Sequence, residues 1–78
     1  MRITPNDSPA RLARFPRDTW IVLRVLTGSI LLSPEAQILT SGGGLPVAVA
    51  DNIVRIVWPA GDLWVQGSIG AIAEVILP

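Results

Sequence analysis

From Pro9 onward the sequence is a series of short apolar runs, each ended by glycine, proline or small polar residues. Runs rich in Val, Ile and Trp that alternate with turn residues are typical of β-strands, and no stretch shows the spacing of an amphipathic helix. The pattern predicts an all-β fold, a small antiparallel β-sandwich or barrel of about seven short strands. The predicted strands are Ala10–Phe15, Trp20–Leu26, Ile30–Ser33, Leu45–Val49, Ile53–Trp58, Asp62–Gln66 and Ala71–Leu77, with a brief run at Ile38–Thr40.

Residues 1–8 form a separate N-terminal arm in this interpretation, and residues 9–78 form a single β domain. The arm is polar, contains Pro5 and has no periodicity, so we expect it to be disordered or bound by a partner. Within the domain, Ala50-Asp51-Asn52 has the composition of a turn. We expect this turn to join Leu45–Val49 and Ile53–Trp58 in a hairpin.

The chain is small and unusually apolar. A domain of 78 residues buries only about 60% of the surface of its unfolded chain. Half of the residues are hydrophobic and seven more are glycine, whereas both together make up about 45–50% of a typical soluble domain. Because the chain has no Cys and no His, neither disulfides nor a His- or Cys-ligated metal can stabilise it. Oligomerisation is the remaining remedy.

The second, fifth and last predicted strands are apolar on both faces, with one charge, Arg24, Arg55 or Glu74, in the second face of each. A sheet with one side in water shows a clear polar row instead, and contiguous apolar patches usually mark an interface. Closure into a compact sandwich that hides both faces is the alternative. The predicted interface residues are Trp20, Val22, Arg24, Arg55, Trp58, Trp64, Ile72, Glu74 and Ile76.

The residue types argue against an enzyme. Without His, Cys, Lys or Tyr, the chain lacks most general bases, nucleophiles and soft metal ligands. Its acidic residues are isolated in sequence, and a carboxylate hydrolase would need two of them to converge in a cleft. Asp51-Asn52 has the composition of a turn rather than of a calcium site, and Ser41–Gly44 lacks the lysine and helix of a phosphate-binding loop. We expect no catalytic residue, cofactor or metal.

Two further partner classes are not expected. The longest apolar segment, Trp20–Leu32, is interrupted by Arg24 and is too short for a membrane span. The start of the chain has no apolar run typical of a secretory signal, so we expect synthesis in a cytoplasm. Arg11, Arg14 and Arg17 are the only clustered basic residues, too few for a nucleic-acid footprint.

Three tryptophans, Trp20, Trp58 and Trp64, stand out in a chain of this size. Indoles anchor protein interfaces, pack in cores, or stack on sugar rings. A carbohydrate-binding β module that uses exposed tryptophans is therefore an alternative from another functional class.

The order of features from Pro9 to the end resembles that of very short virion proteins of tailed bacteriophages. After a polar start, the resemblance lies in a run such as Arg17–Leu26 that opens the sheet, the segment SGGGLPVAV, the sequence GDLWV at Gly61–Val65 and the apolar last strand Ala71–Leu77. The chain departs from the pattern because it lacks the Asn- and Gly-rich stretch that often follows the second strand.

The resemblance implies a non-enzymatic structural subunit of a bacteriophage virion, a capsid decoration (cement), fibre-base or minor capsid protein. Such proteins self-associate, and by analogy a homotrimer docked on a larger assembly such as a capsid is favoured. The protein would then be located in the virion after synthesis in the host cytoplasm. The departure from the pattern leaves its position on the particle open, and a tail or fibre-attachment subunit is an alternative.

Overall fold

A computed structural model describes residues 1–77. They form eight β-strands, arranged in two four-stranded sheets, and one short α-helix. The predicted all-β sandwich is confirmed, because every strand pair is antiparallel and the two sheets enclose one apolar core. The elements are β1 (Arg2–Ile3), β2 (Ala10–Phe15), β3 (Thr19–Thr27), β4 (Ser29–Ser33), α1 (Ala36–Thr40), β5 (Leu45–Ala48), β6 (Ile53–Trp58), β7 (Gly61–Gly67) and β8 (Ile72–Ile76).

Sheet I has the strand order β1-β8-β3-β6, and sheet II has the order β2-β7-β4-β5. Only β4 and β5, which are joined through α1, are neighbours both in sequence and in a sheet. At each other connection the chain passes from one sheet to the other. The short turns of the sequence therefore lie at the ends of the sandwich and link strands that do not pair with each other.

The core consists of the side chains that point inward from alternate positions of both sheets. In β3, for example, Ile21, Leu23 and Val25 are buried, whereas Arg24 on the opposite face is exposed. This alternation follows from the two-residue period of a strand. The other buried members of the core are Phe15, Ile30, Leu32, Val47, Trp58, Leu63, Val65, Ala71, Ala73 and Val75.

Gly28 is the single residue between β3 and β4, where the chain leaves sheet I and enters sheet II. Its φ of +75° lies in the left-handed region, and a Cβ at this position would lie 2.5 Å from Ser68 Oγ and 3.2 Å from Ala71 Cα. Both the backbone conformation and the close approach of the β7–β8 turn therefore require glycine.

The predicted hairpin between Leu45–Val49 and Ile53–Trp58 is wrong. A 3₁₀ turn at Val49–Asp51 and Asn52, with a φ of 58°, carry the chain from sheet II to sheet I. As a result β5 pairs with β4, and β6 pairs with β3. Turn composition shows where the chain bends, but the sheet that the next strand joins depends on distant strands.

The absence of helices and the brief strand at Ile38–Thr40 are also corrected by the structure. Ala36–Thr40 forms α1, which begins after Pro34 and ends before the glycines at positions 42–44. A helix of this length is too short to show a 3.6-residue period in the sequence.

The first residues of the expected arm lie along sheet I. Arg2–Ile3 pairs with β8, the amino group of Met1 donates to the Val75 carbonyl oxygen at 2.9 Å, and the Val75 amide donates to the Met1 carbonyl oxygen at 2.8 Å. Farther along, the Gly67 amide donates to the Asn6 carbonyl oxygen at 2.7 Å. These contacts hold part of residues 1–8 against the domain.

Candidate protein-binding surface

The outer face of sheet I carries large apolar side chains that point away from the core. They belong to the three neighbouring strands β6, β3 and β8. We call this surface the apolar face and define it by Trp20, Val22, Ile53, Val57 and Ile76. All of these side chains are exposed except Val22, which is half-buried at the centre.

Strand register brings these side chains together. Trp20 of β3 lies opposite Val57 of β6, and with 66% of its surface accessible it is the largest exposed apolar side chain of the face. Two residues further along β3, on the same face, Val22 lies between Arg55 of β6 and Ile76 of β8. Neighbours of this kind lie about 5 Å apart at Cβ, so the apolar side chains form one surface.

A row of charges crosses the same face beside the apolar side chains. Glu74 of β8 lies between Arg2 of β1 and Arg24 of β3, with a carboxylate oxygen 3.4 Å from Arg2 Nη2 and the other 3.9 Å from Arg24 Nη2. All three side chains are substantially exposed. Because exposed ion pairs contribute little to stability, their main effect is to place both signs of charge beside the apolar side chains.

The apolar face also contains a shallow depression of about 250 Å³ at the point where the charges meet the apolar side chains. Such a depression can accept a side chain from a facing surface. The residues that line it are Val22, Leu23, Arg24, Ile53, Glu74 and Ile76.

All of the predicted interface residues except Trp58 and Trp64 lie on the outer face of sheet I. Ile72 extends this face along β8 and is half-buried. The remaining members that share this outer face are Trp20, Val22, Arg24, Arg55, Glu74 and Ile76.

Trp58 lies in the core, which corrects its inclusion among the interface residues. It is the last residue of β6, shares the inward face with Val54 and Ile56, and is 6% exposed. Its Nε1 donates to the Asp62 carbonyl oxygen at 3.0 Å, which satisfies the only polar atom of the indole.

Trp64 lies on the outer face of sheet II, where it faces Arg11 of β2 and Ser33 of β4, and it is half-buried. The three indoles therefore lie in the core and on two opposite surfaces. They form no common stacking platform for a sugar ring, and Trp20 is the one of the three that is exposed.

Ile53 and Val57 belong to the apolar face but are absent from the predicted interface residues. The signal was present in the sequence, because both alternate with Arg55 along one strand and must share its face. Trp58 has the residue type of an interface anchor, but it alternates with the outward-facing residues and points into the core.

Asp18 and Asp51 accept backbone hydrogen bonds at turns. Asp18 Oδ1 accepts from the Ala60 amide at 3.0 Å, and Asp51 Oδ2 accepts from the Ala48 amide at 2.7 Å.

Within residues 1–77, no group of three or more His, Cys, Asp or Glu side chains lies close enough to hold a metal ion. In the same part of the chain, no helix has the length and apolar character needed to cross a membrane.

No protein-family model matches the chain, and comparison with curated proteins and with solved structures found no significant match.

Proposed function

We propose that this chain is a non-enzymatic structural subunit that self-associates and docks on a larger assembly through its apolar face. The assembly we propose is a bacteriophage virion, on which the chain would act as a capsid decoration (cement) or minor capsid protein. The observation that carries the docking part is the apolar face itself, where Trp20, Ile53, Val57 and Ile76 are all exposed.

The composition of this face supports a protein partner. Tryptophan and arginine are the residue types most enriched among side chains that dominate binding energy, and Trp20 and Arg55 both lie on this face. The row formed by Arg2, Glu74 and Arg24 adds both signs of charge at one side. Complementary charges at the rim of an interface set register and partner choice.

The non-enzymatic part is supported by the residue inventory and by the contacts of the carboxylates. The chain has no His, Cys, Lys or Tyr. Glu74 lies between two arginines, whereas Asp18 and Asp51 accept backbone hydrogen bonds at turns. Each of these three carboxylates therefore has an arginine or a backbone amide as its partner. The virion part is supported by the sequence resemblance alone.

The self-association part is tested by sedimentation velocity of the intact protein from about 1 to 100 µM, since oligomer populations depend on concentration. We expect a concentration-dependent oligomer and a blue shift of tryptophan emission as Trp20 becomes buried. Trp20→Thr should weaken association about tenfold or more, because an indole that anchors an interface contributes about 1.4 kcal/mol or more.

The matched control is Ile69→Thr. Ile69 is 89% exposed, lies in the β7–β8 turn and is not one of the residues that define the apolar face. It should leave association unchanged, so an equal effect of the two substitutions would contradict docking through the apolar face. A monomer at every concentration would contradict self-association.

The virion part needs a separate experiment. Tailed phage particles are induced from the host that carries the coding sequence, purified on a density gradient and analysed by quantitative mass spectrometry. We expect the chain in the particle fraction at many copies per particle. Its absence from particles that contain the major capsid protein would overturn the virion part and leave the docking part standing.

A further inference from the structure

The two sheets have four edge strands, and three of them carry features that oppose pairing with another chain. β1 is only two residues long, β2 has a register shift between Arg11 and Ala13, and β5 contains Pro46, which has no amide hydrogen to donate. Short length, bulges and proline are the usual means by which edge strands are protected.

β6 is the fourth edge strand, and it has none of these features. It contains six residues without proline, and its register with β3 is continuous from Ile53 to Trp58. β3 occupies only one side of β6, and within residues 1–77 no other strand or turn bonds to the β6 backbone. Amides and carbonyls on the other side can therefore pair with another strand.

The side chains of β6 are also incompletely covered. Val54 and Ile56 point inward and pack against the core, yet both are only half-buried at this open edge. Ile53 and Val57 point outward and are exposed. A strand added beside β6 would therefore cover apolar surface on both faces of sheet I.

We propose that β6 pairs antiparallel with β6 of a second copy of this chain. The two-fold axis that relates the copies would lie between the two strands, at the point where Ile56 of one copy faces Ile56 of the other. This pairing rests on the proposed function, because it identifies the self-association partner and the strand at which the copies meet. The two copies of sheet I would then form one continuous sheet.

Charge and strand length select the register. If Arg55 lay on the axis, the two arginines would face each other, which is destabilising. With the axis at Val54, only the start of β6 could pair, because the chain leaves the extended conformation at Asn52, just before the strand. An axis through Ile56 aligns Val54–Trp58 with the same segment of the second copy and places Arg55 opposite Val57.

A second copy fits this edge because it requires no buried charge. The aliphatic part of Arg55 can lie along Val57 of the second copy while the guanidinium stays in water. The inward side chains then meet apolar against apolar, with Ile56 beside Ile56 and Val54 beside Trp58. Since Trp20 lies opposite Val57, the pairing also brings the two apolar faces side by side.

Disulfide cross-linking tests the register directly. Because the chain contains no cysteine, single substitutions can form only intermolecular disulfides. In the proposed register, a mixture of Arg55→Cys and Val57→Cys chains should form heterodimers about tenfold faster than Ile69→Cys chains form homodimers, because only the first pair approaches disulfide geometry. Equal rates in the mixture and in the control would overturn the register.

Hydrogen exchange of the unmodified protein tests strand pairing without any substitution. Amides on the free side of β6 should exchange about tenfold more slowly when the concentration is raised into the oligomeric range. The edge amides of β2 and β5 should not change. An oligomer in which the β6 amides stay unprotected would overturn the pairing and leave docking through the apolar face intact.

The outcomes separate this proposal from the proposed function. A dimer with protected β6 amides whose affinity is unaffected by Trp20→Thr would support the pairing and contradict self-association through the apolar face. A chain that remains monomeric at all concentrations would overturn both.

Discussion

The outer faces of the two sheets differ in what lies on them, although both sheets have four antiparallel strands. The outer face of sheet I exposes Trp20, Val57 and Ile76. On the outer face of sheet II, α1 contacts β4 and β7, and Ser33 at the end of β4 is completely buried. Large outward-facing side chains are therefore exposed on sheet I, whereas part of the outer face of sheet II is covered.

Leu39 accounts for much of this difference. Leu39 is 1% exposed but lies outside the main core cluster. It packs close to Gly44, since a Cβ added to that glycine would lie 3.0 Å from Leu39 Cδ2, and the outward-facing Leu31 lies beside the same point. Elsewhere, sheet II presents Arg11 3.9 Å from Asp62 across the β2–β7 pair. Ion pairs occur on the outer faces of both sheets, so the difference lies in the single turn of helix that covers part of sheet II as an outer layer.

The largest expected effect comes from removing that layer. Leu39→Ala should lower the free energy of unfolding by about 2–4 kcal/mol, because it deletes a buried leucine and leaves a cavity. Urea denaturation at low protein concentration measures the change. Ile38→Ala, at an exposed position of the same helix, is the control, and an equal loss in both variants would show that Leu39 does not hold α1 in place.

Ser33→Ala should cost about 1–2 kcal/mol, since it removes a buried hydroxyl with two hydrogen bonds. Ser33 Oγ donates to the Glu35 carbonyl oxygen at 2.9 Å and accepts from the Glu35 amide at 3.1 Å. The same denaturation assay applies. Thr40→Ala, which removes an exposed hydroxyl bonded within α1, should have a much smaller effect.

On sheet I, Trp20→Thr should change the stability of the monomer by only about 0.5 kcal/mol, because its side chain is mostly in water and threonine keeps the strand preference. Thermal and urea unfolding below the association range measure this value. A loss as large as that of Leu39→Ala would mean that Trp20 is needed for folding rather than for docking.

The smallest effect is expected at the charged row. Glu74→Gln removes contacts to Arg2 and Arg24 that lie in water, so monomer stability should change by less than about 0.5 kcal/mol, and salt should screen even that. Unfolding at low and high salt gives the comparison, with Glu35→Gln at another exposed position as the control. A larger loss that persists at high salt would place these charges in a structural network.

The sequence predicted the seven strands β2–β8 well because most of them show their own alternation, whereas the two-residue β1 lies in the arm that was expected to be disordered or bound by a partner. Trp20–Leu26 and Ile53–Trp58 lie within or match β3 and β6, and single charges on Arg24 and Glu74 correctly marked the outward face of their strands. Periodicity is a local property, so it needs no information about partners.

Strand pairing was less predictable, because the residues that determine it are distant in sequence. Nothing near Asn52 indicates that β6 must pair with β3 rather than with β5. Trp58 is a different case, because its burial follows from its local position in the alternation, whereas its residue type suggested an interface anchor. The layer over sheet II depends on a helix with too few residues to produce a periodic signal.

The alternation of the chain between the two sheets has a kinetic consequence. Phe15 pairs with Gly61, and Arg2 pairs with Glu74, so most strands find their neighbours only after long loops have closed. Folds dominated by such distant pairings fold in milliseconds to seconds rather than microseconds. During that interval the apolar strands β3, β6 and β8 are accessible to other chains. Productive folding therefore competes with aggregation, and the concentration of newly made chains determines how much of the protein reaches the native state.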